Sequence, residues 1–526
     1  MDPTNQAGRA APATALTWLA AADTLHADRK FAEAIAHYRE AVQRDSGLYL
    51  AWYGLGCALF TSDAFADAIV ALRRAVGIDP MAMPARATLG ESLYALGHVT
   101  ASTQEYARVA SDGDATLRAL ALSNIACIAP GDPALDNQGI LDVRRRWMEA
   151  EAAAIRPLGT PRRGAEGKLR IAYLSAFFGS RNWMKGYMGV INAHDRDRFE
   201  VYLIADRSLP SAEAGYRDHD EDHIWNVSNV SNERLARIIA DARLDILVDL
   251  NGYSFQRRLP LFVYRAAPVQ ISWVGMYGTT GIAAMDCVVG DLAVIPPEEE
   301  RFCVERVRRV PHTYLAFDMF YPVPDVAPPP YRAAGHVTFG SLVSAYKITN
   351  AVIAAWSRIL LGVPGSRLLL RNRAFDHPCN NADFAARFSA HGIRFDRLIL
   401  EGGAEHFEFL RTYDRIDIAL DAFPYNGGTT TAEAIWQGVP LLTFNGDRWA
   451  GRTSRSILAA AGLGAWAAVD EAAFVTMAIG MGQSPERHAD LRPGQCARIA
   501  ASPAFDTVGL CRELEAIYEA EFAAKS

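Results

Sequence analysis

The residues best suited to chemistry lie in one run, Asp421-Ala422-Phe423-Pro424-Tyr425-Asn426-Gly427-Gly428-Thr429-Thr430-Thr431-Ala432-Glu433. Residues 416–420 before it have the pattern of a buried strand, and residues 432–437 after it that of a helix. Two glycines and three threonines between them predict a tight loop that ends at a helix N-terminus. Such a terminus offers unpaired backbone N–H groups and the positive end of a helix dipole, a setting that suits a phosphate. Glu433, one turn into the helix, is placed to accept from a ribose hydroxyl. A glycine-rich loop is a weak signal alone, and an ordinary strand-to-helix turn capped by a threonine explains the same residues.

The elements that position this loop must come from a long chain. At 526 residues it exceeds one ordinary domain, and half of it is hydrophobic, enough for several cores. The formal net charge is −7 without a long basic block, which disfavours generic nucleic-acid binding. The 7 cysteines are scattered, odd in number and without a CxxC, as expected for reduced thiols in a cytosolic protein. Residues 1–13 lack the apolar centre of a signal peptide, and no apolar run reaches membrane-spanning length. These features predict a soluble, cytoplasmic protein with no membrane or nucleic-acid partner.

Positions 34 apart correspond near the N-terminus. Phe31, Phe65 and Val99 align, as do Ala34, Ala68 and Ser102, then Tyr38, Leu72 and Tyr106, then Ala41, Ala75 and Val109. Leu55-Gly56 returns as Leu89-Gly90. This period resembles the tetratricopeptide repeat, whose helix pairs stack into a solenoid because none buries its apolar face alone. Three repeats are expected over about residues 14–110, with residues 115–155 as a worn fourth unit or cap. The helical domain is placed at 14–155 and a Pro/Gly/Arg-rich linker at 156–168. The repeats either hold a protein partner or brace the neighbouring domain.

Strand patterns then alternate with helices. They fall at 169–175, 199–205, 244–250, 269–274 and 286–289, and again at 336–340, 367–370, 397–400, 416–420 and 440–443. A five-proline segment, 321–334, separates the two series. Alternation of this kind predicts parallel, doubly wound sheets, here two Rossmann-like halves at 169–330 and 335–526 with a ligand cleft between them. The architecture expected is therefore α plus α/β, a repeat solenoid followed by two Rossmann-like halves, an arrangement that resembles the GT-B fold of glycosyltransferases.

The motifs also have a family resemblance. Leu247-Val248-Asp249-Leu250-Asn251-Gly252-Tyr253, Arg265-Ala266-Ala267-Pro268-Val269-Gln270-Ile271-Ser272-Trp273-Val274-Gly275, Gly278-Thr279-Thr280-Gly281, Met285-Asp286, Phe339-Gly340, Tyr346-Lys347-Ile348-Thr349, the 421–440 run and Ala450-Gly451-Arg452 resemble the O-GlcNAc transferase and SPINDLY family of protein O-glycosyltransferases. The resemblance covers nearly the whole chain. It implies transfer of a sugar from a nucleotide donor, UDP-GlcNAc-like, to Ser/Thr of a protein held by the repeats. It also implies inversion at the anomeric carbon, no metal and no cofactor beyond the donor. Lys347 matches the lysine that contacts the diphosphate, a compact point charge suited to a leaving group that gains negative charge. Tyr346, Asn426, Gly427, Gly428, Thr429, Thr430 and Arg452 belong to the same nucleotide site. Glu433 matches an acidic ribose ligand, and His406 a histidine near base and ribose. The Asp218-His219-Asp220 triplet lies in a charged surface stretch and is not read as a metal site.

The chain departs from the family after the first strand. Phe177 stands where an aspartate is common, Arg181 and Lys185 where histidines are expected, and Gly428 replaces a loop histidine. Arginine cannot act as a general base at neutral pH. Three consequences stay open. The acceptor proton leaves through water or a phosphate oxygen; or the cleft is a catalytically inactive nucleotide-binding scaffold; or the donor carries a carboxylate that Arg181 and Lys185 bind. The last case would be a CMP-linked nonulosonic acid transferred to flagellin. A transferase acting on a small molecule is a further, weaker reading.

Overall fold

The computed structural model describes residues 14–159, 167–275 and 277–525. The N-terminal stretch 1–13 and most of the expected linker lie outside these residues.

Eight helices come first: α1 (Ala15–Ala27), α2 (Phe31–Arg44), α3 (Tyr49–Thr61), α4 (Phe65–Ile78), α5 (Met83–Ala95), α6 (Val99–Asp112), α7 (Ala115–Ile128) and α8 (Asn137–Ala152). Ala34, Tyr38 and Ala41 form a buried i, i+4, i+7 stripe, repeated by Ala68, Leu72 and Ala75 and by Ser102, Tyr106 and Val109. The recurring glycines let facing helices approach. A Cβ on Gly56 would lie 2.5 Å from Leu72, and one on Gly90 3.0 Å from Tyr106. Asp114 and Asp136 cap α7 and α8 by accepting from the N–H groups of Leu117 and Gly139.

Two parallel sheets follow. The first contains β1 (Leu169–Ser175), β2 (Phe199–Ala205), β3 (His223–Asn226), β4 (Ile246–Asp249), β5 (Val269–Trp273), β6 (Cys287–Asp291) and β7 (Arg306–Val310) in the order β3-β2-β1-β4-β5-β6-β7. The second contains β8 (Thr338–Ser341), β9 (Arg367–Arg371), β10 (Leu398–Glu401), β11 (Ile418–Leu420), β12 (Leu441–Phe444) and β13 (Ala467–Ala468) in the order β10-β9-β8-β11-β12-β13. Strand order reverses between β1 and β4 in one sheet and between β8 and β11 in the other. Ligands of doubly wound sheets bind beyond the strand ends at such switch points. The central strands are buried apolar runs because helices cover both faces. Edge strand β7 is charged and partly exposed, and edge strand β3 is short, which protects open edges from pairing with another chain.

The last helix, Thr507–Ala523, leaves its own sheet and packs against the first half. There His194 Nδ1 meets Glu515 at 2.9 Å, the Tyr173 hydroxyl meets His194 Nε2 at 2.7 Å, and the Tyr173 and Tyr518 hydroxyls are 3.1 Å apart, all buried. The helical region packs on both halves. Asn380 donates to Asp63 O at 2.8 Å, Arg387 to Leu96 O at 2.7 Å, and Arg448 to Asp132 O at 3.0 Å. Arg144 of α8 is fully buried; it donates to Thr279 O at 2.8 Å and lies 4.1 Å from the Tyr253 ring centre. Among the described residues all cysteines are free, and no helix is long and apolar enough to cross a membrane.

Candidate functional site in the cleft

Both switch points converge on one cleft. The β1 exit supplies residues 176–185, and the β4 exit supplies Asn251 and Gly252. Asn251 Oδ1 accepts from Ala176 N–H at 2.7 Å, tying these exits together. Gly275 presses against that junction. It has φ +75°, and a Cβ on it would come within 2.5 Å of the Asn251 backbone, so only glycine fits. On the second sheet, β8 leads to Lys347 and β11 to the glycine-threonine loop.

Asp421, buried at the end of β11, shapes that loop. Its carboxylate accepts from the N–H groups of Gly427 at 2.8 Å and Ala422 at 3.0 Å, and from the Thr443 hydroxyl at 2.8 Å. A Cβ on Gly427 would lie 2.6 Å from the Thr430 hydroxyl, so the loop closes tightly on the threonines. The helix Thr429–Trp436 starts with Gly428 as its N-cap residue. Among the described residues, no acceptor faces the N–H groups of Gly428, Thr429 or Thr430. Lys347 Nζ donates to Asn426 O at 2.7 Å and lies 4.1 Å from the centre of the Tyr425 ring. Loss of solvent pushes the Lys347 ammonium down to about 8, while the Asp421 carboxylate pulls it up. The loop thus holds a cation at its Asn426 carbonyl and, at its helix start, three N–H groups that meet no acceptor among the described residues.

A second group lies deeper in the cleft. Lys185 forms a buried ion pair with Glu433. Its Nζ is also 3.0 Å from His406 Nε2, 3.1 Å from Asn182 Oδ1 and 4.4 Å from the centre of the Tyr321 ring. Burial lowers the lysine and raises the glutamate, and each charge opposes that shift in its partner. Burial, helped by the Lys185 and Arg181 charges, pushes the His406 imidazole down to about 4. His406 is therefore neutral at pH 7 and accepts from Lys185.

A family model described as glycosyl transferase family 41 matches residues 157–326 and 331–514, which span both halves and every residue of this cleft. The chain belongs to glycosyl transferase family 41. It is similar to the probable UDP-N-acetylglucosamine–peptide N-acetylglucosaminyltransferase SPINDLY of Arabidopsis thaliana, with 29% identity over 360 residues, 67% of this chain and 39% of that protein. It is also similar to the corresponding protein SEC of the same plant, with 30% identity over 379 residues, 69% of this chain and 38% of that protein. The chain thus spans under half the length of these relatives. A solved structure of a point mutant of the Thermobaculum terrenum O-GlcNAc transferase superposes with a TM-score of 0.81 at 27% identity, covering 98% of both chains. The family 41 chain therefore has the expected architecture, a run of helices ahead of two Rossmann-like halves in GT-B arrangement.

Within this family 41 fold the expected site residues divide into groups. Lys347, Asn426, Gly427, Gly428, Thr429 and Thr430 share the loop wall. Lys185 and Glu433 are buried with the half-buried His406 against them, so Lys185 is committed to Glu433 instead of standing free beside a sugar. Arg181 is partly exposed, and its Nε donates to Glu213 O at 3.2 Å. Arg452 turns away from the loop to pair with Glu299 and donate to Gly446 O at 2.6 Å, bracing one half on the other. Tyr346 stacks on Tyr94 of α5 at 5.0 Å and joins the repeats to the loop wall. Phe177 stacks on Trp183 at 4.2 Å, an apolar platform where an aspartate was expected.

Sequence reasoning missed Tyr94, Tyr277, Tyr321 and Asn182, and gave Asp421 no role. Asp421 was the most findable, since a carboxylate at a strand exit six residues before a glycine can order a loop. The tyrosines carry no spacing signal, because they arrive from separate elements.

Proposed function

We propose that this chain transfers a sugar from a UDP-GlcNAc-like nucleotide donor to Ser or Thr hydroxyls of a protein, with inversion and without a metal ion. One observation carries the reading: at the β8/β11 switch point Lys347 donates to the Asn426 carbonyl of the loop whose Gly428, Thr429 and Thr430 N–H groups meet no acceptor among the described residues. A leaving nucleoside diphosphate gains charge as the glycosidic bond breaks, and preorganised donors lower that barrier. Glu433 and His406 are then neighbours of the nucleoside, with Lys185 holding the carboxylate in place. Family membership and the named activities of the similar plant and bacterial proteins support the donor and acceptor classes.

Within this reading the acceptor hydroxyl attacks the anomeric carbon from the side opposite the phosphate. Its proton passes to water or a phosphate oxygen, since neither Arg181 nor the committed Lys185 offers a neutral basic nitrogen there. The helical region is proposed as the acceptor platform because Tyr94 and α8 reach the cleft. The carboxylate-donor reading, with flagellin as acceptor, rested on two cations. The ion pair of Lys185 with Glu433 withdraws one of them and leaves Arg181.

The test is a screen of the purified chain against UDP-, GDP-, dTDP- and CMP-linked sugars, reading nucleotide release and sugar on protein Ser/Thr. Turnover with UDP-GlcNAc is expected. Turnover confined to a CMP-linked acid would replace this donor with the carboxylate donor, and binding without turnover would leave an inactive scaffold.

A further inference from the structure

The loop wall has a facing group that belongs to the other half of the molecule. A Cβ placed on Gly428 would lie 3.2 Å from the Tyr277 hydroxyl. The phenol therefore rests against the N-cap residue of the helix whose first N–H groups are free. A side chain at 428 would crowd it by a few tenths of an ångström.

The phenol is held on several sides. Its ring is edge-on to Tyr425 at 5.5 Å and to Tyr314 at 6.2 Å, and near-parallel to Trp449 at 6.3 Å. Its carbonyl accepts from the buried Arg144 at 3.3 Å. Tyr425 also carries the Lys347 ammonium over its face, so Lys347 and Tyr277 approach the same loop around one aromatic ring.

We infer that Tyr277 is a further catalytic residue, whose hydroxyl donates a hydrogen bond to the phosphate that departs from the Gly428 loop. This rests on the donor reading above. In the step, the bond between the anomeric carbon and the phosphate oxygen breaks with its electron pair on that oxygen. The acceptor oxygen bonds to the carbon, and the acceptor proton leaves to solvent. Tyr277 keeps its own proton and only shares it with the oxygen that gains charge. The chemistry around it fits a donor. Burial pushes the phenol up to about 12, so it is protonated throughout the neutral range. The Tyr314 and Thr453 hydroxyls, themselves 3.1 Å apart, lie beside it and can donate to its oxygen, which frees its proton for a ligand.

The test uses the full chain and the donor that the wild type turns over. Tyr277→Phe removes one oxygen and keeps every ring contact. Its kcat should fall about 10²-fold, the usual effect of removing one donor to a developing anion, with little change in KM. Affinity for the nucleoside diphosphate should fall while affinity for the nucleoside alone does not. Gly428→Ala, which crowds the hydroxyl, should slow the wild type and have little further effect in Tyr277→Phe. A Tyr277→Phe chain within about twofold of wild-type kcat would overturn the inference and leave the donor reading intact. A wild type that releases no nucleotide from any donor would remove both.

Discussion

Lys185 and Glu433 lie 248 residues apart in sequence and form one buried ion pair across the cleft, linking the exit of β1 to the helix after β11. Each side chain is almost fully buried, at 1% and 3% exposure. Neither charge has water to fall back on. Removing one partner strands the other, and the usual cost of that is about 3–5 kcal/mol. Lys185→Ala should therefore lower the unfolding midpoint markedly, while the double variant Lys185→Met, Glu433→Gln should recover most of the loss. Chemical denaturation of the three proteins checks this. Equal destabilisation by the single and double variants would mean that packing, not charge, sets the cost.

The depressed Lys347 ammonium gives a pH signature. It is protonated below about 8 and neutral above, well under the range of an ordinary lysine. The charged form is the one that can meet a diphosphate. The kcat/KM of the free protein should thus decline as pH rises through about 8. Lys347→Arg should remove that decline within the accessible range, because guanidinium stays charged. A pH profile of both proteins makes the comparison.

Asp421 reports on the same lysine from behind. It orders the loop through the Gly427 N–H and raises the Lys347 ammonium by its charge. Asp421→Asn removes that charge and weakens an acceptor, leaving buried donors at a cost of about 1–3 kcal/mol. Donor affinity should fall, and the basic decline of kcat/KM should move to lower pH. An unmoved decline would show that Asp421 acts on the loop alone.

Arg144 joins the helical region to the loop that carries Tyr277. It donates to Thr279 O and Tyr277 O and lies over Tyr253. Arg144→Met keeps much of the volume but leaves buried carbonyls unpaired, a loss of about 1–3 kcal/mol for each group. Turnover should fall together with stability, although Arg144 touches no proposed ligand atom. Thermal unfolding and steady-state rates on one preparation would reveal both effects.

Much of the frame was legible beforehand, and the reason is physical. Residues 169–175 and 199–205 read as strands and are strands, because strands covered on both faces are continuous apolar runs. The 34-residue period was visible because stacked helix pairs reuse the same buried positions. Strands β3, β7 and β13 were missed, since these edge strands are either very short or, like Arg306–Val310, charged and without an apolar run. The glycine-threonine loop was legible because loop and helix start are contiguous in sequence. The Lys185–Glu433 pair, the stacking of Tyr94 on Tyr346, and Tyr277 over Gly428 were not. Each joins segments that only the fold brings together, and no local pattern records such a contact.

The most direct test of the account is nucleoside diphosphate release from a UDP-linked sugar by the wild type and by Lys347→Ala, with protein acceptor present. The wild type should release the nucleotide with matching sugar on Ser or Thr, and the variant should do so at a rate at least about 10²-fold lower. Near-equal rates in the two proteins would contradict it, because the charge placed at the phosphate would then have no part in the reaction.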